Sequence, residues 1–235
     1  MCILLINEFL IKLLKIDKFI KLYDIMKLLG ENMNTVYTIG YTSFDIQKFV
    51  EVLKKYKITC LIDVRSTPKS SYYKDFDDSN LLPLLKNNGI LYRNYKEEFG
   101  ARQDNKDFYN SKGFLDFEVF AKSQQFNDGI DKIKKAQDMG YVVCLMCAEK
   151  DPINCHRTIL IARNLDKKGF EVKHILATEE TCEQKEIDSR LLEKYCPHRS
   201  QISLFSENNL SDEESLEKAY RLKNEEIGFR MEEEE

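Results

Sequence analysis

The stretch from Tyr141 to Leu160, YVVCLMCAEKDPINCHRTIL, decides the fold and points to the chemistry. Its first part, Tyr141 to Met146, is a β-rich apolar run that ends at Cys147. A short polar loop with Glu149, Asp151 and Pro152 follows. Asn154 then stands where a helix N-cap would stand, and Cys155, His156 and Arg157 fill the first turn. Such a strand–loop–helix junction aims backbone N–H groups and the positive end of a helix dipole at one spot, which favours an anion. Two thiols, an imidazole, a guanidinium and a carboxylate lie within eleven residues, more chemistry than a fold needs. The junction therefore reads as a site.

Outward from it, four more runs read as strands: Val36–Gly40, Thr59–Val64, Leu91–Tyr95 and Glu171–Leu176. Helical spacing separates them. Apolar residues recur at 46, 49, 50 and 53, and again at 126, 130, 133 and 136 before Gly140. Ser79 to Asn88 stops at Gly89, and the helix opening at Cys155 stops at Gly169. Strands alternating with helices predict an α/β fold: a mostly parallel sheet of about five strands with helices on both faces, Rossmann-like in its three layers. The polar, aromatic stretch Lys96 to Gly113 is long for a connector and reads as a functional flap.

In open parallel sheets ligands collect at the carboxyl ends of the strands. Three strands here end in polar groups: Gly40, Thr42 and Ser43; Asp63 and Arg65; and Cys147 and Glu149. Asp63 and Arg65 are two apart, so they leave their strand on the same side. One reading makes them an acid and an anion-binding cation, the other a structural ion pair. Gly40 serves either a turn or the close approach of a ligand.

The cysteines divide. Cys144 and Cys147 form a C-x-x-C, but on a strand they face opposite ways, so Cys144 reads as a small core residue. Cys60 and Cys182 read as structural, and His174 as a strand-end core histidine. Cys147 or Cys155 would be a nucleophile, its thiolate favoured by the helix end, Arg157 and His156. Cys-dependent phosphatases and sulfurtransferases share this junction, yet their arginine follows the cysteine by six positions, and position 153 here is Ile. A metal site, zinc being the metal that suits the donors, would draw on Cys147, Cys155, His156 and His174. Adjacent Cys and His are not a usual ligand spacing, so no metal is the favoured expectation.

Composition sets the frame. The chain has 235 residues, 43% hydrophobic and 32% charged, as a soluble globular protein requires. Seven cysteines without secreted-type spacing indicate reduced thiols, hence a cytoplasmic setting. Residues 1–32 form an amphipathic extension whose apolar runs are too short to span a membrane; translation starting at Met33 would explain them. Residues 33–200 hold a single α/β domain of net charge about +2, and residues 201–235 an acidic tail of net −7, in which Leu210 to Ile227 reads as an acidic helix and the closing run of glutamates as solvated. That balance permits a nucleic-acid or phosphorylated ligand without demanding one.

The segments TIGYTS at 38–43, LIDVRSTPKS at 61–70, GILYRNYKEEFGAR at 89–102, LMCAEKDPINCHR at 145–157 and HIL at 174–176 resemble the prokaryotic domain of unknown function 488. They run in order across nearly all of residues 35–177. The resemblance implies an α/β fold and a shared site at Asp63, Arg65, Cys147, Glu149, Cys155, His156 and Arg157. It implies no particular reaction. Tyr41 stands where the family usually has histidine, which leaves position 41 outside the expected catalytic set.

In the tail, Gln201-Ile202-Ser203-Leu204-Phe205 resembles the short peptide by which bacterial repair and replication proteins hold the sliding clamp. Gln201 would anchor by hydrogen bonds while Leu204 and Phe205 fill an apolar pocket; the alternative is that they cap the domain's own core.

The expectation is an enzyme, a hydrolase or transferase, on a phosphate-bearing nucleotide or nucleic-acid ligand, linked to DNA repair through the tail. Arg65, Arg157, Gly40, Thr42 and Ser43 would bind the anion. Asp63, Cys147, Glu149, Cys155 and His156 would do the chemistry. No glycine-rich nucleotide loop is present. The alternative is a non-catalytic module sensing a nucleotide or metal.

Overall fold

The computed structural model describes residues 34–197 and 210–231. Residues 1–32 and the motif at 201–205 therefore lie outside the described residues. Strands β1 (Thr35–Gly40), β2 (Cys60–Asp63), β3 (Leu91–Asn94), β4 (Val143–Cys147), β5 (Glu171–Ile175) and β6 (Thr181–Glu183) form one sheet in the order β3-β2-β4-β1-β5-β6. The first five pair in parallel, and β6 adds an antiparallel edge to β5. The five expected strands are all present. β6 was missed because three residues with alternate exposure carry too little apolar signal.

Strand alternation sorts the core into two layers. Leu145 and Cys147 of β4 face one way, with Val36, Ile62 and Val64. Cys144 and Met146 face the other, with Ile39 and Leu61. Helices α1 (Ile46–Lys55) and α2 (Asp78–Asn87) cover the second face through Phe49, Val52, Leu53, Leu81 and Leu85. Helix α3 (Gln124–Asp138) covers the first through Phe126, Ile130 and Ile133. Beside it run α4, which opens as a π-helical turn (Arg157–Ala162) and continues as α-helix (Arg163–Lys167), and α5 (Gln184–Tyr195). Gly140 and Gly169 follow α3 and α4 at φ 85° and 86°, left-handed stops that side chains with a Cβ resist.

Two segments outside the sheet are anchored to the domain. Lys96 to Gly113, the stretch read as a flap, packs against it at several points. Phe99 is buried against Phe126, Gln103 is buried with its Nε2 donating to Gly100 O (2.7 Å), and Arg102 lies over Phe229 at 4.4 Å. Likewise, the acidic helix expected over Leu210 to Ile227 is present and lies against the domain. Helix α6 (Asp212–Ile227) starts with a capping box between Ser211 and Glu214 and packs on α5.

Its inward stripe, Ser215, Ala219, Tyr220, Lys223 and Asn224, is buried. Asn224 accepts from Phe117 N and donates to Leu115 O, both at 2.9 Å. The charge count concealed this stripe, because the acids occupy the outer faces of the same helix.

Candidate functional site

Cys147 ends β4 with its side chain on the α4 face of the sheet. The next two residues cross over β1: Thr42 holds Ala148 O through its N (3.3 Å) and Oγ1 (2.7 Å). Glu149 O passes over Gly40, where a Cβ would stand 2.0 Å away. The φ of Gly40 is −102°, so close approach of the loop, and no unusual backbone angle, demands glycine there. Ser43 only closes the short 3-10 turn Tyr41–Ser43.

The loop then forms a 3-10 turn, Pro152–Asn154, capped by Asp151, whose Oδ1 accepts from Ile153 N at 3.3 Å. Asn154 is thus not the cap. Its Oδ1 instead accepts from the buried Lys223 Nζ of α6 at 2.7 Å, and α5 holds Asp151 through Arg190. Sequence offers no local signal for either clamp, since both come from helices far along the chain.

Cys155 is extended (φ −130°, ψ 138°) and His156 is helical (φ −60°, ψ −27°). This change of backbone state turns two adjacent side chains to one point. Cys155 Sγ meets Glu149 Oε2 at 2.8 Å. His156 Nε2 donates to Val64 O (3.1 Å), so Nδ1 faces the thiols, 3.7 Å from Cys147 Sγ and 4.0 Å from Cys155 Sγ. Arg157 is fully buried; Nη1 donates to Glu149 O at 2.7 Å, while Nε and Nη2 have no hydrogen-bond partner among the described residues.

These groups shift one another's protonation. The hydrogen bond to Cys155, then burial, holds the Cys147 thiol well above the ordinary thiol range. Burial opposes ionisation of Cys155, but the Cys147 hydrogen bond, Arg157 and His156 pull its thiol well below that range. Burial alone would lower His156; the Cys155 partner raises it instead. Glu149 is raised by burial and by the charge on Cys155. The shifts make Cys155 the more acidic thiol of the pair.

Asp63 and Arg65 lie at the same carboxyl edge but on the other face. Arg65 donates from Nε (2.9 Å) and Nη2 (2.6 Å) to Asp63, and from Nη2 to Phe76 O (2.8 Å), with its guanidinium 4.9 Å from the Tyr41 ring centroid. Tyr92 OH also donates to Asp63 at 2.8 Å. The structural ion pair is what the structure shows. The sheet separates these side chains from the thiols, and β2 reaches the cluster only through Val64 O.

His174 sits in the core between Thr38 Oγ1 (2.8 Å) and Gln184 Oε1 (2.9 Å), and burial pushes its pKa down to about 4. Burial pushes the Cys60 and Cys182 thiols up to about 11, in keeping with structural roles. The assembled site is Cys147, Glu149, Cys155, His156 and Arg157, under the loop that Gly40 and Thr42 receive.

Among the described residues no helix is long and apolar enough to cross a membrane. No curated protein and no solved structure matches the chain. The sequence model of one family, Domain of unknown function DUF488, matches residues 45–164, just over half of the chain. The matched span runs from α1 into the start of α4 and holds all five residues of the assembled site. This chain belongs to the family described as Domain of unknown function DUF488.

Proposed function

We propose that the chain is an enzyme, a hydrolase or transferase, acting on a phosphate-bearing nucleotide or nucleic-acid ligand at the Cys147–Arg157 junction. The observation that carries this reading is Arg157, a fully buried guanidinium whose Nε and Nη2 find no hydrogen-bond acceptor among the described residues, the charge nearest in effect being that of Cys155. A buried donor without a partner is costly, and an anionic oxygen supplies a strong charge-assisted one. Glu149 and Asn154 are exposed and bring solvent to the cluster, while the Glu149 carboxyl turns inward onto Cys155. Burial and the Cys155 charge raise its pKa, as suits a group that gives and takes a proton.

The test is turnover of a panel of nucleoside mono-, di- and triphosphates and short oligonucleotides by the full chain and by Glu149→Gln. Wild type is expected to turn over at least one member. The variant should bind that member within a few-fold and turn it over at least about 10²-fold more slowly. Absence of turnover across the panel, or equal rates for both proteins, retires the enzyme reading.

Burial of Cys147, Cys155, His156 and Arg157 also favours a second reading, a module that senses a nucleotide or metal without turnover. In that case Glu149→Gln shifts ligand affinity modestly and nothing else.

The link to DNA maintenance rests on Gln201, Leu204 and Phe205, which fall between α5, ending at Tyr195, and α6, beginning at Asp212. Docking of this peptide on a sliding clamp predicts that Phe205→Ala weakens clamp binding about tenfold or more, since the aromatic ring is the anchor. Equal binding by wild type and variant ends that proposal.

A further inference from the structure

We infer that Cys147, Cys155 and His156 form a binding site for a soft divalent cation of the zinc class. The inference rests on the reading of this cluster as the reactive centre and names the ion that would work there. Sequence spacing argued against it, because Cys155 and His156 are neighbours. The structure removes the objection by giving the two residues different backbone conformations, extended and helical, so both donors point to one place.

The distances fit an ion better than direct hydrogen bonds. The three donor atoms lie within 4.8 Å of one another, and the two sulfur-to-Nδ1 separations are 3.7 and 4.0 Å. A tetrahedral ion with Zn–S of about 2.3 Å and Zn–N of about 2.0–2.1 Å sets ligand edges of about 3.6 Å for S···N and about 3.8 Å for S···S. The two S···N edges close to those values by a few tenths of an ångström, and the S···S edge, within 4.8 Å, by at most about 1 Å.

The histidine is prepared for ligation in a second respect. Its Nε2–H is given to Val64 O, which leaves the Nδ1 lone pair facing the sulfurs. Metal-bound histidines are held by this kind of outer hydrogen bond, which sets the tautomer and ring orientation.

Binding balances as one divalent ion in and two protons out, one from the Cys147 thiol and one from the Cys155–His156 pair, to Glu149 or to water. The two thiolates offset the ion's charge, and Arg157 stands opposite Glu149. Three protein ligands leave a fourth position, the ligand count of a catalytic zinc site. Glu149 Oε2, 2.8 Å from Cys155 Sγ, borders that position.

The test uses the full chain, stripped with a chelator under reducing conditions and titrated with Co²⁺ and then Zn²⁺. One equivalent of cobalt is expected to give a thiolate-to-cobalt charge-transfer band and the strong visible bands of tetrahedral coordination, and zinc should erase both. Cys147→Ser and His156→Asn should lose the spectrum, whereas Cys60→Ser, altering a thiol outside the cluster, should keep it. A wild-type chain that takes up no stoichiometric cobalt or zinc overturns the site, as does a full spectrum in Cys147→Ser. Stoichiometric metal without turnover of any phosphate compound would retire the enzyme reading and leave this one standing. Turnover by the chain together with no stoichiometric metal uptake would do the reverse.

Discussion

Gly40→Ala is expected to destabilise the fold by about 2–4 kcal/mol and to dismantle the site with it. The added Cβ would lie 2.0 Å from Glu149 O, 2.9 Å from its carbonyl carbon and 3.2 Å from Arg157 Nη2. That carbonyl cannot turn aside alone. Arg157 Nη1 donates to it at 2.7 Å, and Thr42 holds the preceding carbonyl from two sides. Relief therefore requires the whole loop to lift off β1, taking Glu149 away from Cys155. For a chain of this size the melting temperature should fall by roughly 5–15 °C. Thermal unfolding followed by circular dichroism reads the first effect, and cobalt titration the second. A melting point unchanged within about 1 °C would mean that the loop does not cross Gly40 this closely.

Truncation of Tyr220 should have an effect at least as large, by a different route. Tyr220 is 2% exposed, stacks under the Arg163 guanidinium at 3.7 Å, accepts from Gln184 Nε2 at 2.7 Å and donates to Asp188. Tyr220→Ala removes a buried ring and leaves Gln184 and Asp188 without that partner, an expected loss of about 3–5 kcal/mol. Helix α6 would then release Lys223 from Asn154, next to Cys155. The measurements are thermal unfolding and limited proteolysis between α5 and α6. The variant should melt about 8–15 °C lower and be cut faster. Tyr220→Phe, which keeps the ring and its stacking, should recover most of the loss. If Tyr220→Ala melts with wild type, the helix contributes nothing to the domain and its docking is not as described.

The two predictions concern contacts between distant parts of the chain, and that is where the sequence stopped being informative. The apolar runs of β1 to β5 and the helical spacing of α1 and α3 are local patterns, readable because each element must present an apolar face to the sheet. So was the junction at 141–160, where reactive side chains crowd a strand end. Strand alternation likewise puts Cys144 and Cys147 on opposite faces of β4, where the two core layers hold them.

The pairing of residues across the sheet was not legible in this way. Period-two alternation puts Asp63 and Arg65 on one side of β2 but does not say which helix layer that side meets. Only packing showed that they face α1 and α2, bound to each other and to Tyr92, while the thiols face α4. Adjacent Cys155 and His156 converge because the chain changes from extended to helical between them, a change imposed by the Pro152–Asn154 turn and its Asp151 cap. Helix α6 was legible as an acidic helix, but its buried stripe was not, because charge counts record composition and not direction.

By itself, then, the sequence determined the element types, the parallel α/β class and the segment that carries the chemistry, because those follow from local periodicity and side-chain identity. Tertiary structure decided which of those side chains share a space, which carboxylate belongs to the thiols, and that a distant helix clamps their loop. Those outcomes depend on long-range contacts that no neighbour in the chain encodes.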